Sequence, residues 1–435
     1  MNKLKGLLSF FIAVMLIIGS SVSCFAATYN YDGDLKSESV LLVNMDTDTP
    51  VVEKNNDVKM YPAELTMIMT YIIVSENVED FSSTKVEIKS DIIHSLDGTN
   101  CRMSGIESKI GEKMTVLDLL NCMMIGSGND AAAVLADYVG GGQTQTFVDM
   151  MNTKAQELGC TNTNYVYPHG VHNDNHYTTA DDLYKITSYA LTLPMFSEIT
   201  NTATYYCEGD SYPLVTTNEM IDLNRGGTNY YTYAKGIMYG VNEQAGRCLV
   251  TTAIAEGYAY MCICMKADDY NGLMTEAKEL MRWALLNLDL TRMLTTDTPV
   301  CEVKVNFTAS DTTTLVYPAQ TVNTILPEDY NPEDVTVEPS VPESIDAPVT
   351  KGDLVGTATV YYQGQMIQTV DLVAGEDIAK SDLSYTMHTF KSVLTSIWFW
   401  IAVVLAGVLV IVYIFLATNV HRSKKNRRVK KYRRL

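Results

Sequence analysis

The sequence predicts three parts in series: an α+β domain, a small all-β domain and a C-terminal transmembrane helix. Three observations carry this. Strand-like runs at both ends of residues 35–292 enclose helical ones, which suggests one sheet with helices packed on it. After Thr296 the texture changes to short β-rich runs divided by Pro, Gly and Asp, with no amphipathic helix between Pro299 and Ala374. Residues 397–417, IWFWIAVVLAGVLVIVYIFLA, carry no charge and match the roughly 20 residues a helix needs to cross a bilayer core. With 435 residues, 47% of them hydrophobic, the chain can build two cores and is not a largely disordered one.

The chain begins with the pattern of a signal peptide over residues 1–26. Lys3 and Lys5 precede an apolar run from Leu7 to Ile18, and small residues follow. Cleavage is expected after Ala26, with an uncleaved anchor as the alternative. In the first domain, SVLLVNMDTDTPVVEKN reads as a hairpin turning at Asp-Thr-Asp. VLDLLNCMMIGSGNDAAAVLADYVGG reads as helix, turn at Ser127–Asn129, and helix ending on Gly140. RCLVTTAIAEGYAYMCICMKA gives two strands joined at Glu256-Gly257, and NGLMTEAKELMRWALLNL is an amphipathic helix. Residues 297–380 form the expected β domain, a sandwich or barrel.

The end of the chain fixes an orientation. Trp398 and Trp400 at one edge of the apolar span, and Tyr413 and Phe415 near the other, suit interfacial belts. The tail, residues 418–435, includes HRSKKNRRVKKYRRL, rich in Lys and Arg and free of acids. The positive-inside rule makes that tail cytoplasmic and the preceding domains extracellular, in a single-pass membrane protein. The tail could also meet anionic lipid headgroups. Of the 32 Lys and Arg, nine lie in this tail and two in the leader, which leaves 21 against 51 Asp and Glu. An ectodomain near −30, on the order that such counting gives, excludes nucleic acid as a partner and repels anionic wall polymers.

Of the nine cysteines, Cys24 falls in the leader. The other eight include no CxxC pair, which argues against a zinc ribbon or a thioredoxin-type motif. Cys262 and Cys264 alternate along a strand and share a face, where buried free thiols are expected. The outside location permits disulfides without requiring them.

Three short motifs, in order, carry the functional reading. They are AELTM with Glu64 and Met67, SGN at Ser127 and Asn129, and MYG at Met238, Tyr239 and Gly240. With the segments around them, among them LLNCMMIGSGNDAAAVLADYVGG, YPHGVHNDNHYTTADDL and AKGIMYGVNEQAGRCLVTTA, they resemble the D-alanyl-D-alanine carboxypeptidases, the low-molecular-mass penicillin-binding proteins. The likeness covers about residues 35–380. It implies a β-lactamase/DD-peptidase-like domain, an antiparallel sheet with helices on both sides, and a role in peptidoglycan metabolism. Expected partners are peptidoglycan peptides or wall-synthesis proteins, and no cofactor is implied.

In that family a serine attacks the carbonyl of the penultimate D-Ala, a lysine one helical turn on takes its proton, and a third-motif Lys and Thr hold the terminal carboxylate. The resemblance places Glu64 at the serine, Met67 at the lysine, and Met238 and Tyr239 at the clamp. A carboxylate is a poor replacement for a hydroxyl whose ester must later hydrolyse, and Met carries no base. The expectation is a catalytically degenerate member that binds or scaffolds. The alternatives are a working carboxypeptidase with Ser127 as nucleophile and Glu64 as base, and a transmembrane wall sensor. With Glu64 ionised, the exchanges also predict a site about three charges more negative, opposing an anionic ligand. On their own residues, Glu64 after Pro62 suits a first helical turn, and Met67 suits core packing. His169, His172 and His176 invite a zinc reading, but their loop lacks the four defined ligands a structural site needs, and no metal is expected.

Overall fold

The computed structural model describes residues 29, 31–209, 212–255 and 257–432. The expected leader lies outside them, as do the side chains of residues 420–435. The described chain divides into two compact units. One comprises residues up to Arg292 with Asn323–Thr336 and Tyr361–Ile367, and the other takes Met293–Val322, Val337–Val360 and the chain from Gln368 onward.

The first unit is built on a five-stranded sheet. Its strands are β1 (Ser39–Asn44), β2 (Thr49–Lys54), β3 (Ala234–Asn242), β4 (Gly246–Ala255) and β5 (Tyr258–Ala267), in the order β2-β1-β5-β4-β3. Every pairing is antiparallel. The N-terminal hairpin therefore lies beside strands about 200 residues later in sequence. The expected hairpin, the β4–β5 pair and the α+β layering are all present. β3, which carries the third motif, was not assigned from the sequence.

The helices that matter to the site are α1 (Met67–Asn77), α2 (Val116–Met124), α3 (Asn129–Val139), α4 (Thr144–Glu157), α5 (Ala180–Ala190) and α6 (Tyr270–Asn287). α1 is the central one. Its first eight residues, Met67 to Val74, are all buried, because a helix apolar on every side has no face to offer water. α2 starts at Thr115, whose side chain accepts the Asp118 N–H, an N-cap that satisfies a free helix donor. It ends at Met124, and a short turn leads to α3, which stops at Gly140. The helix–turn–helix read from the sequence is thus observed.

Beyond Arg292 lies a six-stranded sheet, ordered Val335–Ser340, Leu354–Tyr362, Gln365–Ala374, Thr312–Pro318, Cys301–Asn306, Ser344–Asp346. Leu288–Leu294 pairs separately with Val322–Pro327. Between Pro299 and Ala374 the only helical element among the described residues is the 3-10 turn Pro332–Asp334. The segment from Ile397 to Asn419 is a helix of mean hydropathy 2.9 with none of it buried, long and apolar enough to cross a membrane.

Candidate functional site

Four chain segments, β3 among them, converge on the site. The first is the 3-10 turn Ala63–Thr66 that precedes α1. Glu64 lies in the first turn of this 3-10 helix, which runs directly into α1, so the first helical turn suggested by the sequence is observed. Its side chain is 5% exposed, and it turns inward to the sheet instead of complementing a helix terminus. Oε2 accepts the Val241 backbone N–H at 2.7 Å. Oε1 lies 3.5 Å from the Asn129 side-chain amide, the long limit for a hydrogen bond.

Two glycines allow this approach. A Cβ at Gly240 would stand 2.8 Å from the Glu64 nitrogen and 3.2 Å from its Oε2. One at Gly170 would stand 2.7 Å from the same nitrogen. Burial raises the Glu64 carboxyl above its ordinary value. The Val241 N–H, its own backbone N–H, Asn129 and the Arg102 guanidinium pull the other way and do not prevail.

The second segment is the turn between α2 and α3. Ser127 sits at φ +53°, a left-handed conformation that a non-glycine residue adopts only under constraint. Its Oγ is 2.9 Å from Thr217 Oγ1. Asn129 is wholly buried and ties the site together. Its backbone N–H donates to Arg102 O at 2.8 Å, and its Oδ1 accepts the Gly170 N–H at 2.8 Å. The third segment is the His-Gly loop, pinned to the sheet where the Asn242 amide donates to Gly170 O at 3.0 Å.

The fourth segment is β3 itself. Met238 and Gly240 share one face of the strand and Tyr239 takes the other. Met238 joins the core that also contains Met67, and both are essentially unexposed. Tyr239 packs edge-on against Tyr270, with ring centroids 5.1 Å apart. Burial pushes its hydroxyl up to about 12. So Glu64, Asn129 and Gly240 meet directly, Ser127 and Tyr239 stand beside them on the pocket wall, and Met67 and Met238 lie in the packed interior.

The pocket in front measures about 700 Å³ and is lined by Glu64, Ser127, Tyr239 and Val241, among others. Arg102 and Arg247 share its wall with Glu243 and Asp268. Two cations and two acidic side chains from outside the motifs thus face the cavity together, and burial raises the added carboxyl of Glu64 above its ordinary value. Sequence reasoning also missed Thr217 and Val241; Val241 lies in the quoted segment AKGIMYGVNEQAGRCLVTTA, but the roles of both depend on contacts across the fold.

The three loop histidines have structural partners. His176 Nε2 is 2.9 Å from Thr66 Oγ1, His172 Nε2 is 3.1 Å from Asp174 Oδ1, and His169 stacks on Tyr167. Burial lowers His169 to about 4 and His176 to about 3, so both are neutral. Among the described residues no three His, Cys, Asp or Glu side chains gather into a metal-binding group.

Comparison with known proteins gives this geometry a context. Residues 25–269 match the family model described as D-alanyl-D-alanine carboxypeptidase, and residues 289–380 match the C-terminal domain of penicillin-binding protein 5. The chain is 25% identical to the D-alanyl-D-alanine carboxypeptidase DacF of Bacillus subtilis, over 87% of this chain and 96% of that one. It is likewise 25% identical to the carboxypeptidase DacA of Escherichia coli K12, over 84% and 89%. Among solved structures it resembles penicillin-binding protein 5 from Haemophilus influenzae, with a TM-score of 0.66 at 22% identity, over 81% of this chain and all of that one.

Proposed function

The chain belongs to the D-alanyl-D-alanine carboxypeptidase family, and from that premise we propose that it is a catalytically silent, membrane-anchored member that binds or scaffolds in peptidoglycan metabolism. The observation that carries this reading is the state of Glu64. A carboxyl stands where the family resemblance places the nucleophile. Its Oε2 accepts the backbone N–H of Val241 in a buried setting. Backbone N–H groups aimed into such a site are what stabilise developing negative charge in acyl transfer. Here one such donor is taken by the protein's own side chain.

The other positions support the same conclusion. Met67 and Met238 are buried thioethers that can neither take a proton nor clamp a carboxylate. Ser127, the alternative nucleophile, pairs with Thr217, a hydroxyl and not a base. The pocket remains open and carries both Arg102 and Arg247, which suits recognition without chemistry. The helix Ile397–Asn419 supports anchoring, and we place the family domain outside the cell on the basic tail that follows it. Protease added to wall-stripped cells should digest the ectodomain and spare a tag at Leu435; loss of the tag from outside would reverse the orientation. For the activity, full-length protein should release no D-Ala from a muramyl pentapeptide while binding it or co-purifying with wall-synthesis proteins. Release at an enzyme-like rate would overturn the reading.

A further inference from the structure

We propose that Cys122 and Cys207 are a thiol–disulfide pair whose oxidation clamps the seam beside the candidate site. The inference does not depend on whether the site is silent. The seam lies between α2 with its following turn and the small hairpin of Thr204–Tyr205 and Leu214–Val215.

Three contacts cross it in step. The Tyr205 hydroxyl donates to Asp118 Oδ1 at 3.0 Å, Cys122 Sγ lies 3.6 Å from Cys207 Sγ, and Ser127 Oγ lies 2.9 Å from Thr217 Oγ1. Asp118 and Cys122 are four residues apart on α2 and therefore share the face turned to the hairpin. The hairpin is closed by the Thr216 N–H donating to Ala203 O at 2.9 Å. A bond at the middle contact would tie the turn that carries Ser127 to the strand end that carries Thr217. Both thiols are buried.

This pair is distinguished from the other cysteines by geometry. Cys262 and Cys264 are also close, 3.7 Å between sulfurs. They sit two apart on the extended β5, where Cα atoms are about 6.7 Å apart and the Cβ vectors run parallel, a poor arrangement for a disulfide. Cys101, Cys160, Cys248 and Cys301 have no thiol partner among the described residues. Cys122 and Cys207 come from different elements, and their sulfurs need only close to about 2.05 Å.

The hydrogen bond with Cys207, and then burial, hold the Cys122 thiol well above its ordinary pKa. Little thiolate exists while the seam is shut, so reaction proceeds as it opens. One cysteine loses its proton to solvent, and its thiolate attacks a small-molecule or protein disulfide, expelling one thiolate of that oxidant. The second cysteine's thiolate then attacks the mixed disulfide, expels the other half and completes the Sγ–Sγ bond. Two protons and two electrons leave the cysteines, and the oxidant becomes two thiols.

The test uses the full chain in detergent, incubated with oxidised glutathione at pH 8, alkylated, and mapped without reduction. We expect a peptide linking Cys122 to Cys207 in most molecules and a melting temperature raised by about 5–10 °C. Dithiothreitol should reverse both, and Cys207→Ala should show neither. The wild-type map stands whether or not the variant folds. Cys122 and Cys207 both recovered alkylated, either one linked to another cysteine, or a link without a thermal shift would overturn the proposal.

Discussion

Replacing Glu64 with Ala empties the cradle at the centre of the site, and the consequence can be worked from its contacts. The side chain is the acceptor for the Val241 N–H at 2.7 Å. A buried donor left without a partner costs about 1–3 kcal/mol. The pocket of about 700 Å³ in front lets water reach the vacancy, which keeps the loss near the low end, about 1–2 kcal/mol. For a domain of this size that is a fall of roughly 2–8 °C in Tm. Asn129 retains its bond to Arg102 O at 3.2 Å and should stay in place. An added carboxylate can then take the position Glu64 left. Acetate at about 0.2 M, binding with a Kd of about 20 mM, would return about 1.4 kcal/mol. The assay is thermal unfolding of wild type and variant in acetate against chloride at equal ionic strength. The variant alone should respond, because the wild-type cradle is already filled. Equal responses, or a variant as stable as wild type with no response, would refute the claim that Glu64 fills a carboxyl cradle.

Further outcomes follow from the same contacts. Burial holds the Glu64 carboxyl above its ordinary 4.5, so the folded state binds that proton more tightly than the unfolded state. The resulting stabilisation is full below about pH 4.5 and is lost as pH rises through the folded pKa. The stability of wild type minus that of Glu64→Gln should therefore decline from about pH 4.5 upward and then level off; curves that stay parallel would contradict it. Gly240→Ala would place a Cβ 2.8 Å from the Glu64 nitrogen, and overpacking against backbone should cost about 1–3 kcal/mol in urea unfolding with the slope unchanged. A neutral substitution would mean that β3 does not press on the 3-10 turn as described.

What the sequence disclosed, and what it hid, divides along the range of the interactions involved. The β1–β2 hairpin, the α2–turn–α3 unit and the β4–β5 pair were readable because periodicity and turn residues are local signals. The helical turn of Glu64 was legible, but its inward contact was not, because that depends on Gly170 and Gly240, more than 100 residues away, which let the turn press against β3. The rest of the pocket's charged wall was hidden for the same reason. Arg102 and Arg247 belong to no motif, and only the fold brings them to one cavity. Met67 was the reverse case: its apolar character already said core, and it is there, joined by Met238, which was read only as a clamp position.

Whether this site can be acylated separates a silent family member from a working one. Full-length protein in detergent should be incubated with a fluorescent penicillin, denatured and separated by electrophoresis, beside the variant Glu64→Ser, Met67→Lys, Met238→Lys, Tyr239→Thr. Groups that act as a unit lose nearly all activity when one is missing, so only the fourfold variant restores the whole set that the family resemblance implies. The natural sequence is expected to carry no label and the fourfold variant to acquire it. Stoichiometric, penicillin-specific labelling of the natural sequence at any residue would show that the site is a working one.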